Sequence, residues 1–180
     1  MIRGVGRQIA IVVLSVFFVV TVAAAAELKV GDPAPPFSLK GTDGKTYSLD
    51  QFKGKSAVVI AWFPKADTPG CTKECKSLRE NSKALKDLKV AYFTASVDTA
   101  EQNTKFAKSL DLDYPILSDP EKSVSKDYGV LNPARGMSNR WTFYIDKDGK
   151  IAAVDKMVKP ATSAADVSAK LKALGIADKK

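Results

Sequence analysis

The 180-residue chain contains no histidine and only two cysteines, Cys71 and Cys75. Zinc sites of the usual kind need four Cys or His ligands, and a cysteine protease needs a histidine base, so both of these common uses of cysteine lack their partners here. What remains is thiol redox chemistry or a small structural disulfide. The sequence also lacks internal repeats, Gly/Ser linkers and low-complexity tracts, which indicates a single domain.

The N-terminus has the pattern of a secretory signal peptide. Arg3 and Arg7 precede an uncharged stretch at 9–26 that ends in four alanines before the first acidic residue, Glu27. An uncleaved membrane anchor is the alternative, because a run of about 18 uncharged residues is at the lower limit for spanning a bilayer. The terminal alanines favour cleavage. The junction contains no cysteine, which excludes a lipoprotein anchor. We therefore expect a periplasmic or secreted protein, in an oxidising compartment where disulfides persist.

Cleavage after Ala26 would leave residues 27–180, a length that fits one domain with a sizeable core. Of the 28 basic residues, only Arg3 and Arg7 precede this point, and all 20 acidic residues follow it. The remaining lysines are scattered along every segment rather than grouped with aromatic residues. This distribution is typical of a solvated surface, and we expect no nucleic-acid partner and no membrane contact after cleavage.

Apolar runs and turn signals predict alternating strands and helices. The predicted strands are 37–39 paired with 47–49, then 56–63, 90–97 and 115–117, and finally 142–145 paired with 151–154. One predicted helix begins near Cys71, and three others cover 99–110, 121–128 and 164–174. This alternation indicates an α/β fold with a central mixed β-sheet, helices on both faces and an N-terminal β-hairpin. The cysteines lie between a strand end and a helix start, where sites gather in such sheets.

A nucleophilic cysteine acts as a thiolate, whereas a free thiol titrates near 8.5. Pro69 and Gly70 suit a turn into the first helical residues, so Cys71 is predicted at a helix N-terminus. Exposed N–H groups there favour an anion by about 0.3 to 1 kcal/mol, less than the roughly 2 to 3 kcal/mol that the thiolate needs. With no histidine, an arginine or lysine must supply the rest, and Glu74 works against it. The alternative interpretation is that Cys71 and Cys75 are not reactive and only pack as two small apolar residues on an inward helix face.

The segment Pro64-x-x-x-Thr68-x-x-Cys71 resembles the active-site motif of the peroxiredoxins, thiol peroxidases built on a thioredoxin-like fold. Residues 67–74 are similar to the bacterioferritin-comigratory, or Q-type, branch of this alkyl hydroperoxide reductase/thiol-specific antioxidant family. Further similar segments run through the chain, at 30–37, 117–120, 128–130 and 140–146.

The resemblance implies a role for each motif residue. Cys71 would be the peroxidatic cysteine, whose thiolate attacks the O–O bond and becomes a sulfenic acid. Arg140 would supply the positive charge, Thr68 would hydrogen-bond the peroxide and the thiolate, and Pro64 would shield the pocket. The resemblance further implies hydrogen peroxide or small organic hydroperoxides as substrates, a thioredoxin-like or other dithiol reductant, a monomer, and neither cofactor nor metal.

The second cysteine departs from the Q-type pattern, in which it commonly lies five residues after the first. Here Cys75 lies four residues after Cys71, and Lys76 occupies the usual position. A spacing of four places the two Cα atoms about 6 Å apart on one helix face, within the disulfide range. Their Cβ atoms would be about 5 to 6 Å apart against the 3.5 to 4.5 Å that a disulfide needs, so the first turn must distort. We expect Cys75 to resolve the sulfenic acid; a one-cysteine enzyme is the alternative.

Two other classes of thioredoxin-fold protein remain as alternatives. Copper chaperones of the Sco type carry Cys-x-x-x-Cys after a central strand but also use a distant histidine, for which Met137 would have to stand in as a soft ligand. Disulfide reductases carry Cys-x-x-Cys nearer the strand end, where this chain has Trp62-Phe63-Pro64. The segment 131–139 before Arg140, which includes Arg135, follows no pattern of the family. The sequence thus favours an exported thiol peroxidase.

Overall fold

The computed structural model describes residues 27–177, so the predicted signal peptide over 1–26 lies outside the described residues. The elements in chain order are β1 (Ser38–Gly41), β2 (Thr46–Ser48), β3 (Val58–Trp62), α1 (Pro69–Glu80), α2 (Ser82–Lys86), β4 (Ala91–Ser96), α3 (Ala100–Ser109), β5 (Ile116–Ser118), α4 (Ser123–Asp127), β6 (Leu131–Asn132), β7 (Met137–Ser138), β8 (Trp141–Ile145), β9 (Ile151–Asp155) and α5 (Ser163–Leu174). The predicted alternation is confirmed. Within 27–177, no helix has both the length and the apolar character needed to cross a bilayer.

Seven of these strands form one mixed sheet in the order β2-β1-β5-β4-β3-β8-β9. The central strands β3, β4 and β5 are parallel, and the strands at both sides pair antiparallel. The parallel pairs follow from the crossovers through α1 and α3, because parallel neighbours need a long connection. The predicted central mixed sheet and N-terminal hairpin are confirmed.

β3 is buried along its whole length and supplies side chains to the cores on both faces of the sheet, as its continuous apolar run predicts. Val58, Ile60 and Trp62 face a core that α4 closes. Val59 and Ala61 face the opposite core, which α1, α2 and α5 cover. A third cluster, beside that second core, joins Phe63 to the following buried residues: Ala66, Cys71, Cys75, Phe106, Ala107, Leu110 and Ile116.

The sequence did not predict the small hairpin of β6 and β7, whose strands have two residues each. Leu131 pairs with Ser138, and Gly136 adopts a positive φ of 63° in the turn, a conformation that glycine reaches without steric cost. The Asn139 N–H donates to the Val130 carbonyl at 2.8 Å. These contacts fix the path of the chain immediately before Arg140.

The register of β3 and β8 decides where Arg140 lies. Trp62, the last residue of β3, pairs with Trp141, the first residue of β8. Because the two strands are antiparallel, the residue before β8 lies beside the segment that leaves β3 toward α1. Arg140 therefore reaches the helix that carries both cysteines, although 69 positions separate it from Cys71.

Candidate active site

The N-terminus of α1 is built by Thr68, Pro69 and Gly70. Thr68 is the N-cap residue in an extended conformation, and Pro69 occupies the first helical position, where its missing N–H costs nothing. The Thr68 hydroxyl does not cap the helix but donates to the Lys65 carbonyl at 2.9 Å. Since the first N–H groups of a helix have no intrahelical partner, those of Gly70 and Cys71 are available to an anion at this end.

Cys71 is fully buried in the first turn of α1, and Arg140 contacts its sulfur. The Arg140 Nη2 atom lies 3.3 Å from Cys71 Sγ. Gly70 leaves room for this approach, because a Cβ atom at that position would lie 3.1 Å from the same Nη2 atom and would require the guanidinium to shift by a few tenths of an ångström. The positive charge that the sequence required for a thiolate is therefore in contact with the sulfur.

Glu74 lies one turn after Cys71, is fully buried, and forms an ion pair with Arg140 through Nη1. Burial raises the pKa of Glu74 to about 7, although the neighbouring Arg140 charge opposes this shift. Its second carboxylate oxygen, Oε1, has no hydrogen-bond partner within the described residues, which agrees with a carboxyl group that is costly to ionise. Glu74 therefore orients the guanidinium that contacts Cys71, and offsets part of its charge when ionised.

Cys75 is fully buried one turn beyond Cys71, and both cysteines are reduced. Burial, with a further contribution from Glu74, raises the pKa of Cys75 to about 12. The Tyr114 hydroxyl donates to the Cys75 carbonyl oxygen at 3.0 Å. In this conformation Cys75 is thus a protonated thiol, and the two cysteines have different environments although they share a helix face.

Asp98 anchors the segment between β3 and α1 that carries Pro64 and Thr68. Its carboxylate accepts a hydrogen bond from the Ala66 N–H at 2.9 Å and another from the Ser96 hydroxyl at 2.9 Å. The Ala66 N–H would otherwise be buried without a partner, which costs about 1 to 3 kcal/mol. Asp98 is itself largely buried, so these hydrogen bonds fix the position of the connection between β3 and α1 from the protein interior.

The structure brings most of the predicted site residues together. Cys71 and Arg140 are in contact, and Cys75 follows on the same helix. Thr68 occupies the N-cap position of that helix, and Pro64 is half-buried in the connection before it. The Thr68 hydroxyl bonds to Lys65 rather than to Cys71.

Two residues from the unassigned segment lie in the small hairpin. Arg135 is exposed in its turn, and Met137 is half-buried in β7. Across residues 27–177, no group of three or more Cys, Asp or Glu side chains is arranged to hold a metal ion.

Four residues of the site make contacts that the sequence analysis did not predict: Gly70, Glu74, Asp98 and Tyr114. Glu74 and Asp98 carried a signal that could have revealed them, because each is an acidic residue within or directly after a buried stretch. A buried carboxylate needs a partner, and the partners of these two are Arg140 and the Ala66 N–H. Gly70 and Tyr114 carried no such signal, because their contacts depend on the three-dimensional approach of other elements.

The model of the family described as AhpC/TSA matches residues 30–154 of the chain. The chain is 38% identical over 133 residues to peroxiredoxin Bcp of Escherichia coli (strain K12), covering 71% of this chain and 85% of the relative. It is 35% identical over 130 residues to the chloroplastic peroxiredoxin Q of Sedum lineare, covering 72% and 69% respectively.

Among solved structures, the crystal structure of peroxidoxin BcpB from Mycobacterium tuberculosis matches with a TM-score of 0.74 and 31% sequence identity. The match covers 82% of this chain and 98% of that chain. The predicted thioredoxin-like fold, a mixed sheet with helices on both faces, is confirmed.

Proposed function

This chain belongs to the AhpC/TSA family and is a peroxiredoxin of the Bcp/peroxiredoxin Q kind, a thiol-dependent peroxidase, and on that premise we propose that Cys71 is its peroxidatic cysteine. The observation that carries the proposal is the 3.3 Å contact between Arg140 Nη2 and Cys71 Sγ. A guanidinium at this distance places a positive charge beside the attacking sulfur and offers N–H donors to the oxygens of a bound peroxide.

The proposed reaction begins with attack of the Cys71 thiolate on one oxygen of the peroxide. The S–O bond forms while the O–O bond breaks, and the leaving oxygen takes a proton to depart as water or an alcohol. Arg140 and the free N–H groups of the first turn of α1 stabilise the negative charge that develops on that oxygen. The Thr68 hydroxyl already donates to Lys65, so its lone pairs are free to accept a hydrogen bond from the hydroperoxide.

The second proposed step is the resolution of the Cys71 sulfenic acid by Cys75. The Cys75 sulfur attacks the Cys71 sulfur, an intramolecular disulfide forms, and the hydroxyl leaves with the Cys75 proton as water. The shared helix face of the two cysteines supports this pairing, and their Cβ separation requires α1 to distort during the step. An external dithiol, of the thioredoxin type or another, then reduces the disulfide.

We propose that the enzyme is exported and acts as a monomer outside the cytoplasm. The charged start, apolar stretch and alanines within 1–26 support export, as argued above. N-terminal sequencing of the protein recovered from a fractionated host tests the cleavage, with Glu27 expected as the first residue. Light scattering on the purified protein tests the oligomeric state.

A peroxide-consumption assay with a small dithiol reductant tests the roles of the two cysteines. Cys71→Ser is expected to lose turnover completely, because no other group supplies the nucleophile. Cys75→Ser is expected to form the sulfenic acid but to turn over more slowly, because the external dithiol must then attack the sulfenic acid directly. Full activity in Cys71→Ser would overturn the assignment of the peroxidatic cysteine.

A further inference from the structure

The part of α1 from Cys75 onward is tied to the connection between α3 and β5 at two points one turn apart. The Tyr114 hydroxyl donates to the Cys75 carbonyl at 3.0 Å. Arg79 Nη1 donates to the Leu110 carbonyl at 2.9 Å. These contacts come in addition to the hydrogen bonds within the helix, and the first of them lies on the residue that the proposed disulfide needs.

The first turn of α1 has a different attachment, through the contact of Cys71 with Arg140. That contact is strongest while the Cys71 sulfur is an anion. When the peroxide converts the sulfur to a neutral sulfenic acid, the charge attraction to Arg140 is lost. Oxidation therefore weakens the attachment of Cys71 but leaves the Tyr114 contact with Cys75 unchanged.

Cys75 must move before it can react. Side chains four apart on a helix have Cβ atoms about 5 to 6 Å apart, and a disulfide needs about 3.5 to 4.5 Å. Burial also raises the pKa of Cys75 to about 12, so the group is a weak nucleophile in its folded position. Both facts make release of the Cys75 segment a condition for disulfide formation.

We propose that Tyr114 is a positioning residue that holds Cys75 in the folded helix through its hydroxyl and thereby limits the rate of disulfide formation. The inference rests on the proposed function of the two cysteines. In the step concerned, the bond between the Cys71 and Cys75 sulfurs forms, the S–O bond of the sulfenic acid breaks, and water leaves with the Cys75 proton. Tyr114 takes no part in this exchange and opposes the movement through its hydrogen bond to the Cys75 carbonyl. Its hydroxyl also lowers the pKa of the Cys75 thiol, an effect that burial outweighs.

The surroundings of Tyr114 allow its hydroxyl to be tested separately from its ring. The ring is buried and packs against Tyr92, with the two centroids 5.0 Å apart. The Tyr92 hydroxyl is also buried, and it makes no hydrogen bond to α1. Tyr114→Phe and Tyr92→Phe therefore remove the same group from the same aromatic pair, but only the first removes a bond to α1.

Rapid quenching tests the proposal in wild-type protein, Tyr114→Phe and Tyr92→Phe. The reduced full chain is mixed with a small excess of hydrogen peroxide, quenched at successive times with a thiol-alkylating reagent, and analysed by mass spectrometry for the disulfide. Formation of the disulfide from the sulfenic acid is a first-order step and is separated from the peroxide step by its independence of peroxide concentration. Tyr114→Phe is expected to form the disulfide about three- to tenfold faster than wild type, since one hydrogen bond opposing the movement is gone.

The rate of disulfide formation in Tyr92→Phe is expected to stay within twofold of the wild-type rate. A disulfide rate in Tyr114→Phe that equals or falls below the wild-type rate would overturn the proposal, as would equal acceleration in both variants. At a large excess of peroxide, Tyr114→Phe is also expected to accumulate less sulfinic acid at Cys71, because faster resolution leaves less time for a second oxidation. If wild-type protein forms a sulfenic acid but no disulfide, the resolving role of Cys75 fails; if the disulfide forms at one rate in all three proteins, only the role of Tyr114 fails.

Discussion

At the scale of single residues, one guanidinium serves two acidic groups. Arg140 contacts the Cys71 sulfur through Nη2 and the Glu74 carboxylate through Nη1. The family motif in the sequence predicted that Arg140 would partner Cys71, and Glu74 was expected only as a negative charge that opposes the Cys71 thiolate. The sequence could not reveal that Glu74 reaches Arg140, because this depends on the rotation of α1 about its axis relative to β8.

Arg140→Met is expected to lower the second-order rate constant for oxidation of Cys71 by hydrogen peroxide by about 10²- to 10³-fold, the usual cost of removing one donor from a site of developing negative charge. Stopped-flow mixing of the reduced protein with peroxide measures this constant. Arg135→Met is the matched control, because Arg135 is exposed in the β6–β7 turn only five positions away. A loss below threefold in Arg140→Met, or an equal loss in both variants, would contradict the role of Arg140.

The buried Glu74 predicts a dependence of stability on pH. Its pKa is raised in the folded protein to about 7, from an ordinary value near 4.5 in the unfolded chain. Between these two values the folded state holds one more proton than the unfolded state, so the stabilising contribution of the group is complete below about pH 4.5 and is lost as the pH rises through 7. Wild-type protein should therefore lose about 1 to 3 kcal/mol of stability relative to Glu74→Gln between pH 5 and pH 8.

Urea unfolding of the reduced proteins at the two pH values measures this difference. Glu80→Gln is the control, because Glu80 is exposed on the same helix and its ion pair with Arg79 is long at 3.9 Å. Comparing differences between two pH values cancels any constant effect of leaving Arg140 without its partner. A wild-type protein that gained stability relative to Glu74→Gln as the pH rose would show that Glu74 has a lowered pKa instead.

At the scale of elements, α1 shows what sequence spacing can and cannot determine. The Pro69 and Gly70 signals predicted a helix that begins near Cys71, and α1 does begin at Pro69. The break between α1 and α2 at Asn81 was not predicted, because the apolar spacing continues across it to Leu85. There the Asn81 side-chain amide donates to the Ser77 carbonyl at 3.0 Å, a local contact that competes with continuation of the helix.

The connection between β3 and α1 depends on Asp98, which leads to a prediction for this element. Asp98→Ala leaves the buried Ala66 N–H without its acceptor and should cost about 1 to 3 kcal/mol of stability. It should also lower the peroxide rate constant about tenfold, because small displacements of the segment with Pro64 and Thr68 misplace the groups around the sulfur. Urea unfolding and stopped-flow oxidation measure the two effects.

Asp119→Ala provides the comparison for Asp98→Ala. Asp119 is also buried and accepts from the Ser125 N–H at 2.7 Å, but this bond lies in the first turn of α4, on the other face of the sheet. Its loss should reduce stability to a similar extent and leave the peroxide rate constant within twofold of wild type. Equal peroxide rate constants in the two variants would show that Asp98 stabilises the fold without positioning the site.

At the scale of the whole molecule, the sheet order decides which distant segments meet. The sequence predicted the alternation of strands and helices, the hairpins and the buried central strand, because each leaves a local pattern of apolar residues. The pairing of β3 with β8 leaves no such pattern, since it joins Trp62 to Trp141 across the chain. Only the family motif, with its distant arginine, predicted that Arg140 would reach Cys71, and the antiparallel register of these two strands supplies the physical reason.

The most direct test of the central proposal is to identify which sulfur first reacts with peroxide. Reduced Cys75→Ser protein is treated with one equivalent of hydrogen peroxide in the presence of a sulfenic-acid trapping reagent, and the modified residue is located by peptide mass spectrometry. We expect stoichiometric labelling at Cys71, and no fast labelling in the Cys71→Ser protein, whose remaining Cys75 thiol has a pKa that burial raises to about 12. Fast labelling of Cys75 in Cys71→Ser, or an unlabelled Cys71 in Cys75→Ser, would contradict the assignment of Cys71 as the peroxidatic cysteine.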